Sequence, residues 1–365
     1  MQVSIITSLN YRAHHTTYPL WVYRKQLEEK GVRLRFFYGL DVNAIAQSDV
    51  VCIVQWNFKR FFPPYGRHDL DDLLEQFRRK GCRILWIDDQ DSSGTIRKDI
   101  LQKVNIYAKN QLLRERDLYG QPMYQGVYFR DYYHKVLRLE DPGGKVVQGI
   151  PEEERTKLRL SWNLSFLNWR VMGKRRLARV IGYLYPRRSF RPRFVHTRLV
   201  DRRFDISYRV SDHGHAPTVS YQRQRTIELL RQIELEHAYQ ILYGAKVSYS
   251  EYRSEMANCR IVPSPFGWGE VCFRDFECFE AGAILLKPSM EHLETWPDYY
   301  VPNVTYVPFA WDFSDFILKI IELLENPCRY QSIAAEGQKR LFQNTVLGAH
   351  GFVEHFLNLI RDVTE

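Results

Sequence analysis

Apolar and polar positions in the first third of the chain alternate between two periods. Short, almost unbroken apolar runs at 3–7, 32–38, 50–54, 83–87 and 104–108 have the length of buried strands. Between them, apolar residues recur three and four positions apart. Leu20, Tyr23 and Leu27 mark a helix over 18–29 that stops at Gly31; Leu70, Leu73, Leu74 and Phe77 mark another that stops near Gly81. Strands separated by short helices predict a parallel, doubly wound sheet. The alternation resumes after residue 200, with strands at 204–208, 260–263, 283–286 and 305–308. Helices are expected there at 219–233, 248–257, 273–281, 313–324, 329–342 and 349–363. Between the two halves, 158–184 reads as one or two helices with Leu164, Leu167, Val171, Ile181 and Leu184 on an apolar face interrupted near Lys174. The fold class is therefore α/β, with two Rossmann-like units.

Composition narrows the picture in three ways. A chain of 365 residues with 45% hydrophobic content is long enough for two cored domains. Lys and Arg exceed Asp and Glu by 52 to 43, a net charge of +9 that favours an anionic partner: a nucleotide, an acidic glycan, an anionic membrane or nucleic acid. Much of the excess falls in 170–193, which reads either as a basic amphipathic surface for an anionic membrane or as a helical hairpin with a solvated charged side. A nucleic-acid groove is the third use of such a run. The six cysteines lack CxxC or Cys/His ligand spacing, so they read as free thiols of a reducing compartment rather than as disulfides or a zinc site. The opening residues 1–6 read as a strand rather than a secretory leader, and no apolar run reaches 18 residues. A cytoplasmic location is the expectation. No GxGxxG follows the first strand, which disfavours a dinucleotide oxidoreductase. The loop 8–17 is polar, and its His14 and His15 are candidates to touch an acceptor or phosphate, or are simply solvated.

The densest chemistry lies in 264–288, SPFGWGEVCFRDFECFEAGAILLKP. An apolar run at 260–263 leads into a loop with Gly267 and Gly269, then a helix over 273–281, Gly282 and a second apolar run. A strand, a glycine loop, a helix and a strand present backbone N–H groups to a phosphate. Arg274 opens that helix, and Glu277 lies one turn on, on the same face. A guanidinium suits a diphosphate, and a carboxylate one turn away suits the hydroxyls of a ribose. The plainer alternative is a helix cap with a local Arg–Glu pair.

This segment resembles the donor-binding signature of GT-B glycosyltransferases, in the "group 1" set with its CgeB-like branch. Glu277 stands five residues before Gly282, as the family's second Glu does. Glu270 takes the place of the first Glu, which the resemblance implies contacts the donor sugar, with six residues between the pair instead of the usual seven. The R-x-x-E form of Arg274 and Glu277 is similar to the phage DNA β-glucosyltransferases, implying Arg on phosphate and Glu on ribose. The same resemblance implies that Arg209, at a strand end, and Arg223, at a helix start, face the donor diphosphate; surface salt bridges are the alternative. It also implies a C-terminal helix that crosses back to the first domain.

Asp88, Asp89 and Asp91 leave the strand at 83–87 by its carboxyl end, where an acceptor hydroxyl would need a base. The resemblance implies a catalytic Asp after the corresponding strand, best matched by Asp89 and next by Asp88. Because Ser92, Ser93 and Gly94 follow, a turn or helix cap is the alternative. Asp89-Gln90-Asp91 also fits the weak DxD pattern of metal-dependent GT-A enzymes, but the second Rossmann-like half opposes that fold, so no essential metal and no bound cofactor are expected.

The expected organisation is an acceptor-binding domain at 1–200 with the basic connector, a nucleotide-sugar domain at 201–345, and a returning helix at 346–365. The expected function is metal-independent transfer of a sugar from a nucleotide sugar to a hydroxyl of a surface glycan or lipid-linked saccharide. Two rivals are a DNA-base (hydroxymethylpyrimidine) glycosyltransferase and a non-catalytic nucleic-acid-binding protein.

Overall fold

The computed structural model describes residues 1–7, 11–56, 67–166, 194–210, 215–244 and 246–365, the side chains of 11–15 and 67–68 excepted. The basic run 170–193 and the helices expected there lie outside the described residues. The strands run β1 (Gln2–Ile6), β2 (Arg33–Phe37), β3 (Val50–Val54), β4 (Arg83–Asp88), β5 (Ile106–Lys109), β6 (Gln111–Leu113), β7 (Met123–Tyr124), β8 (Val146–Val147) and β9 (Leu158–Leu160). After them come β10 (Phe204–Arg209), β11 (Ile241–Gly244), β12 (Cys259–Pro263), β13 (Ile284–Pro288), β14 (Leu293–Thr295) and β15 (Val307–Phe309).

Two parallel sheets result. The first has the order β2-β1-β3-β4-β5-β9, the second β11-β10-β12-β13-β15. The pleat sends alternate residues of each strand to opposite faces. In the first sheet, Val51, Ile53, Ile84 and Trp86 meet Leu70, Leu73, Leu74 and Phe77 of the helix Arg67–Arg79. Val50, Cys52, Val54, Leu85 and Ile87 face the other way. That second face is covered partly by Leu20 and Leu27 and partly by the last helix, Ala349–Thr364, through Phe352, Phe356, Leu359, Ile360 and Val363. The chain end is fastened further by His355 Nε2, 3.0 Å from the carbonyls of Leu160 and Ser161, and by Arg159 donating to Asp362 at 2.6 Å. Two Rossmann-like units with a final helix returned to the first are the GT-B fold, as the resemblance implies.

The segment between β5 and β9 departs from simple alternation. β6 pairs antiparallel with β14 of the second unit. The helix Tyr128–Leu137 lays its aromatic side on that unit, with Phe129 5.3 Å from Phe266 and Tyr133 5.3 Å from Tyr221, ring centre to ring centre. Arg130 bridges Asp141 and Thr218. Two local expectations are corrected, and one strand is added. Residues 158–160 form the edge strand β9 rather than the start of a helix, because β5 offers an unpaired edge that local periodicity does not reveal. The polar stretch after β1, expected to be a loop over 8–17, is helical from Tyr11. Residues 241–244 supply β11, too short a run to stand out. Of the cysteines, Cys52, Cys82, Cys259 and Cys278 are buried free thiols, whereas Cys272 is partly exposed and Cys328 exposed. Among the described residues, no helix is long and apolar enough to cross a membrane.

The two units meet backbone to backbone at Gly269. A methyl group added there would lie 1.4 Å from the carbonyl oxygen of Asp91, whereas at Gly267 its nearest neighbour is an Arg223 nitrogen at 3.5 Å. A backbone obstruction cannot rotate aside, so Gly269→Ala must push the two loops apart. We expect Gly269→Ala to lose roughly 1–3 kcal/mol or more, the ordinary range for overpacking, and Gly267→Ala to stay close to wild type. Chemical denaturation of both variants checks this; equal stability would mean that the loops separate without cost.

Candidate functional site

In the second sheet the strand order reverses between β10 and β12, so the connections leaving their carboxyl ends diverge and open a crevice. A cavity of about 260 Å³ lies there, lined by Tyr208, Arg223, Tyr252, Gly267, Arg274 and Glu277 together with the first residues of the helix Phe273–Ala281. The loop that shapes it is fixed from beneath by Asp275. This fully buried carboxylate accepts hydrogen bonds from the Cys272 N–H at 3.0 Å, Ser264 Oγ at 2.5 Å and the Tyr300 hydroxyl at 2.7 Å. Lys287 Nζ pairs with it at 3.1 Å and also donates to the Ser264 carbonyl. Phe266 N–H donates to Gln222, and Gly267 N–H to the Gly269 carbonyl. The helix N-terminus, with its positive dipole end, therefore opens at the cavity.

Arg274 lies over the Tyr208 ring at 5.0 Å and donates to the Arg209 carbonyl at 2.6 Å. Glu277 is buried and accepts a 2.8 Å hydrogen bond from the Tyr252 hydroxyl. Desolvation pushes its carboxyl upward, opposed by Arg253, Tyr252 and Arg274. Arg223 lies 2.5 Å from His215 Nε2; since a guanidinium only donates, that ring nitrogen is the acceptor. The structure thus gathers Arg223, Gly267, Arg274 and Glu277 around one cavity.

Three expected residues lie elsewhere. The Arg209 guanidinium holds Glu255 at 2.9 and 2.8 Å and the Tyr243 carbonyl, so only its backbone serves the cavity, through Arg274. Glu270 crosses to the first unit, accepting Ser93 N–H at 3.0 Å and Ser93 Oγ at 2.5 Å. Asp88 is fully buried, accepting from the Tyr107 hydroxyl at 2.6 Å and pairing with Lys109 at 3.0 Å. These carboxylates and this guanidinium are occupied by partners that sequence distance hides. Gly269 serves the contact with Asp91 described above.

Asp89 differs from its neighbour. One oxygen accepts from Thr16 Oγ1 at 3.2 Å, while Oδ1 is buried with no hydrogen-bond partner among the described residues. Burial, reinforced by the Asp88 charge, raises its carboxyl to about 7. Asp91 is exposed, and among the described residues no three His, Cys, Asp or Glu side chains converge on a common point. His14 and His15 fall on the helix Tyr11–Val22, but their side chains lie outside the described residues. Sequence reasoning missed Tyr252, Asp275 and Ser93. The C-x-x-D spacing of Cys272 and Asp275, a capping box with cysteine as the cap, was the one signal available for Asp275.

No family model matches the chain, and no curated protein matches it. Solved structures that align along its length include an alpha-glucosyltransferase in complex with UDP-glucose and DNA containing an abasic site, 10% identical over 100% of both chains with a TM-score of 0.49. Another is Anabaena Alr3699/HepE in complex with UDP-glucose, 9% identical over 98% of this chain and 99% of that one, TM-score 0.42. A third is a UDP-GlcNAc 2-epimerase from Neisseria meningitidis bound to UDP-GlcNAc, 8% identical over 98% of this chain and 100% of that one, TM-score 0.42. Likeness at this level concerns the course of the chain and not its chemistry.

The state of Asp89 makes a measurable difference to stability. A carboxyl whose pKa is higher folded than unfolded contributes fully to stability below its unfolded value. It loses that contribution as the pH rises, here from 3.8 through about 7. Asparagine carries no such penalty. Asp89→Asn should therefore gain melting temperature relative to wild type between pH 5 and pH 8. A difference that stays constant across that window would show that Asp89 is not desolvated.

Proposed function

We propose that the protein is a glycosyltransferase that moves a sugar from a nucleoside diphosphate sugar to an acceptor hydroxyl. The observation that carries this reading is the convergence of Arg223, Arg274, a helix N-terminus and Glu277 on one cavity at the switch point of the second sheet. The two guanidiniums and the helix dipole suit a diphosphate, and Glu277, one turn along, suits a ribose. Asp89 serves as the base. It takes the proton of the acceptor hydroxyl, the oxygen forms its bond to the anomeric carbon, and the bond from that carbon to the diphosphate breaks. The released charge rests on Arg223, Arg274 and the helix end, without an essential metal. Glu270, held by Ser93, has no direct part. Arg209 acts only through its carbonyl.

The acceptor in this reading is a surface glycan or lipid-linked saccharide. The net charge of +9 favours a second reading, a hydroxymethylated base in DNA. Retention of duplex DNA with a steep salt dependence, together with transfer to it, would select the second. A thermal-shift panel of UDP, GDP, ADP, CMP and dTDP identifies the nucleotide, since a ligand bound only to the folded state raises the melting temperature.

Arg274→Ala and Glu277→Ala should each weaken nucleotide binding by roughly 10- to 150-fold, the loss of one charged hydrogen bond, without unfolding the chain. Unchanged affinity in the folded double variant would remove the donor site from this cavity. Asp89→Asn should lower turnover roughly 10²- to 10⁴-fold and leave nucleotide affinity intact. Because Asp89 must be ionised to accept a proton, wild-type turnover should rise with pH through about 7 and persist in EDTA. Near-normal turnover of Asp89→Asn would assign Asp89 to the turn alone; loss in EDTA with rescue by Mg²⁺ or Mn²⁺ would assign the diphosphate to a metal.

A further inference from the structure

We infer that Tyr252 is the positioning residue that makes the donor cavity selective for ribonucleotides over deoxyribonucleotides; this rests on the donor-site reading above. Tyr252 belongs to the helix Tyr249–Ala257, which Ser248 caps by accepting the Glu251 N–H at 3.2 Å. That helix lies beside the helix carrying Arg274 and Glu277, and the Tyr252 ring lines the cavity. Its hydroxyl donates to Glu277 Oε2 at 2.8 Å, and Arg274 lines the same cavity.

The direction of this bond follows from chemistry. A carboxylate has only acceptors, so the phenol is the donor. Its single hydrogen must then go to Glu277 Oε2. That fixes one carboxylate oxygen and leaves Oε1, which accepts no hydrogen bond among the described residues and belongs to a side chain that lines the cavity. An oxygen with two free lone pairs, held still at the cavity wall, can receive both hydroxyls of a cis-diol. Glu280, one turn further, does not compete for the same hydroxyls, because Arg253 takes its carboxylate. Without the phenol hydrogen, Glu277 keeps its place in the helix but gains rotational freedom, and its buried Oε2 is left unpaired, which costs free energy. A ribose has the 2′,3′-diol that Oε1 requires. A 2′-deoxyribose offers one hydroxyl of the two and a 2′,3′-dideoxyribose neither. The donor class is therefore a ribonucleoside diphosphate sugar, and thymidine diphosphate sugars are discriminated against.

The test measures binding of UDP and 2′,3′-dideoxy-UDP, with the GDP and ADP pairs in parallel, to the full chain and to Tyr252→Phe, Tyr252→Leu and Glu277→Gln. Wild type should prefer the ribose form roughly tenfold or more. Either Tyr252 variant should bring the ribose form to within roughly threefold of the dideoxy form, while affinity for the dideoxy form stays unchanged. Glu277→Gln should do the same. If both Tyr252 variants keep the wild-type preference while Glu277→Gln loses it, Tyr252 has no positioning role and the donor site stands. A parallel loss for both sugars in the Tyr252 variants would likewise overturn the inference, as a purely structural effect. If no nucleoside diphosphate binds wild type, or Glu277→Gln keeps the preference, the donor-site reading itself fails.

Discussion

The buried Asp275–Lys287 pair governs the shape of the cavity. Both side chains are wholly removed from solvent. A carboxylate and an ammonium in that position cost more in lost hydration than their attraction returns unless other groups complete their hydrogen bonds. Here they do: the Cys272 N–H, Ser264 Oγ and the Tyr300 hydroxyl converge on Asp275, and Lys287 adds the Ser264 carbonyl. One carboxylate thereby ties the end of β12, the cap of the following helix and the strand β13. The loop 264–272 has little freedom to change shape, and Arg274, two residues past the cap, inherits a fixed direction.

The first unit contains a counterpart. Asp88, at the end of β4, is buried against Lys109 at the end of β5 and accepts from the Tyr107 hydroxyl. Among the described residues, each unit therefore carries a buried Asp–Lys pair whose carboxylate also accepts from a tyrosine hydroxyl. Each pair also stands next to a residue of the proposed chemistry. Asp88 pairs with a lysine and Asp89, its neighbour, does not, so two adjacent carboxylates have opposite fates. Asp88 is neutralised by a lysine. Among the described residues, Asp89 has a hydrogen bond from Thr16 on one oxygen and none on the other, and its proton is correspondingly hard to remove.

These two ends are held against each other by a close backbone contact and by side chains that cross between them. Gly269 meets Asp91 with no room for a Cβ, and Glu270 closes on Ser93 in the same place. β6 joins β14, and the last helix seals the open face of the first sheet. A glycine loop that looked like a phosphate cradle is thus split in function. Gly267 borders the cavity and Gly269 brings the units together.

Much of the fold was legible in the sequence, because buried parallel strands are short apolar runs and their helices repeat every 3.6 residues. That holds for β3, for the helices 273–281 and 349–364, and for the two-unit order. Arg274 and Glu277 were legible as a pair because one helical turn sets their spacing. What the sequence left open concerns partners far apart in the chain. Arg209 had the right strand end for a phosphate ligand, yet Glu255, 46 residues away, takes its guanidinium. Glu270 had the right neighbours, yet Ser93, 177 residues away, takes its carboxylate. β9 and β6 are three residues each and exist only because another strand edge is waiting for them. Local spacing determined which side chains share a helix face or a strand end. Only the tertiary structure decided which of those charges remain for a ligand, because a buried charge must be paired by whatever group the folded chain brings within hydrogen-bonding distance.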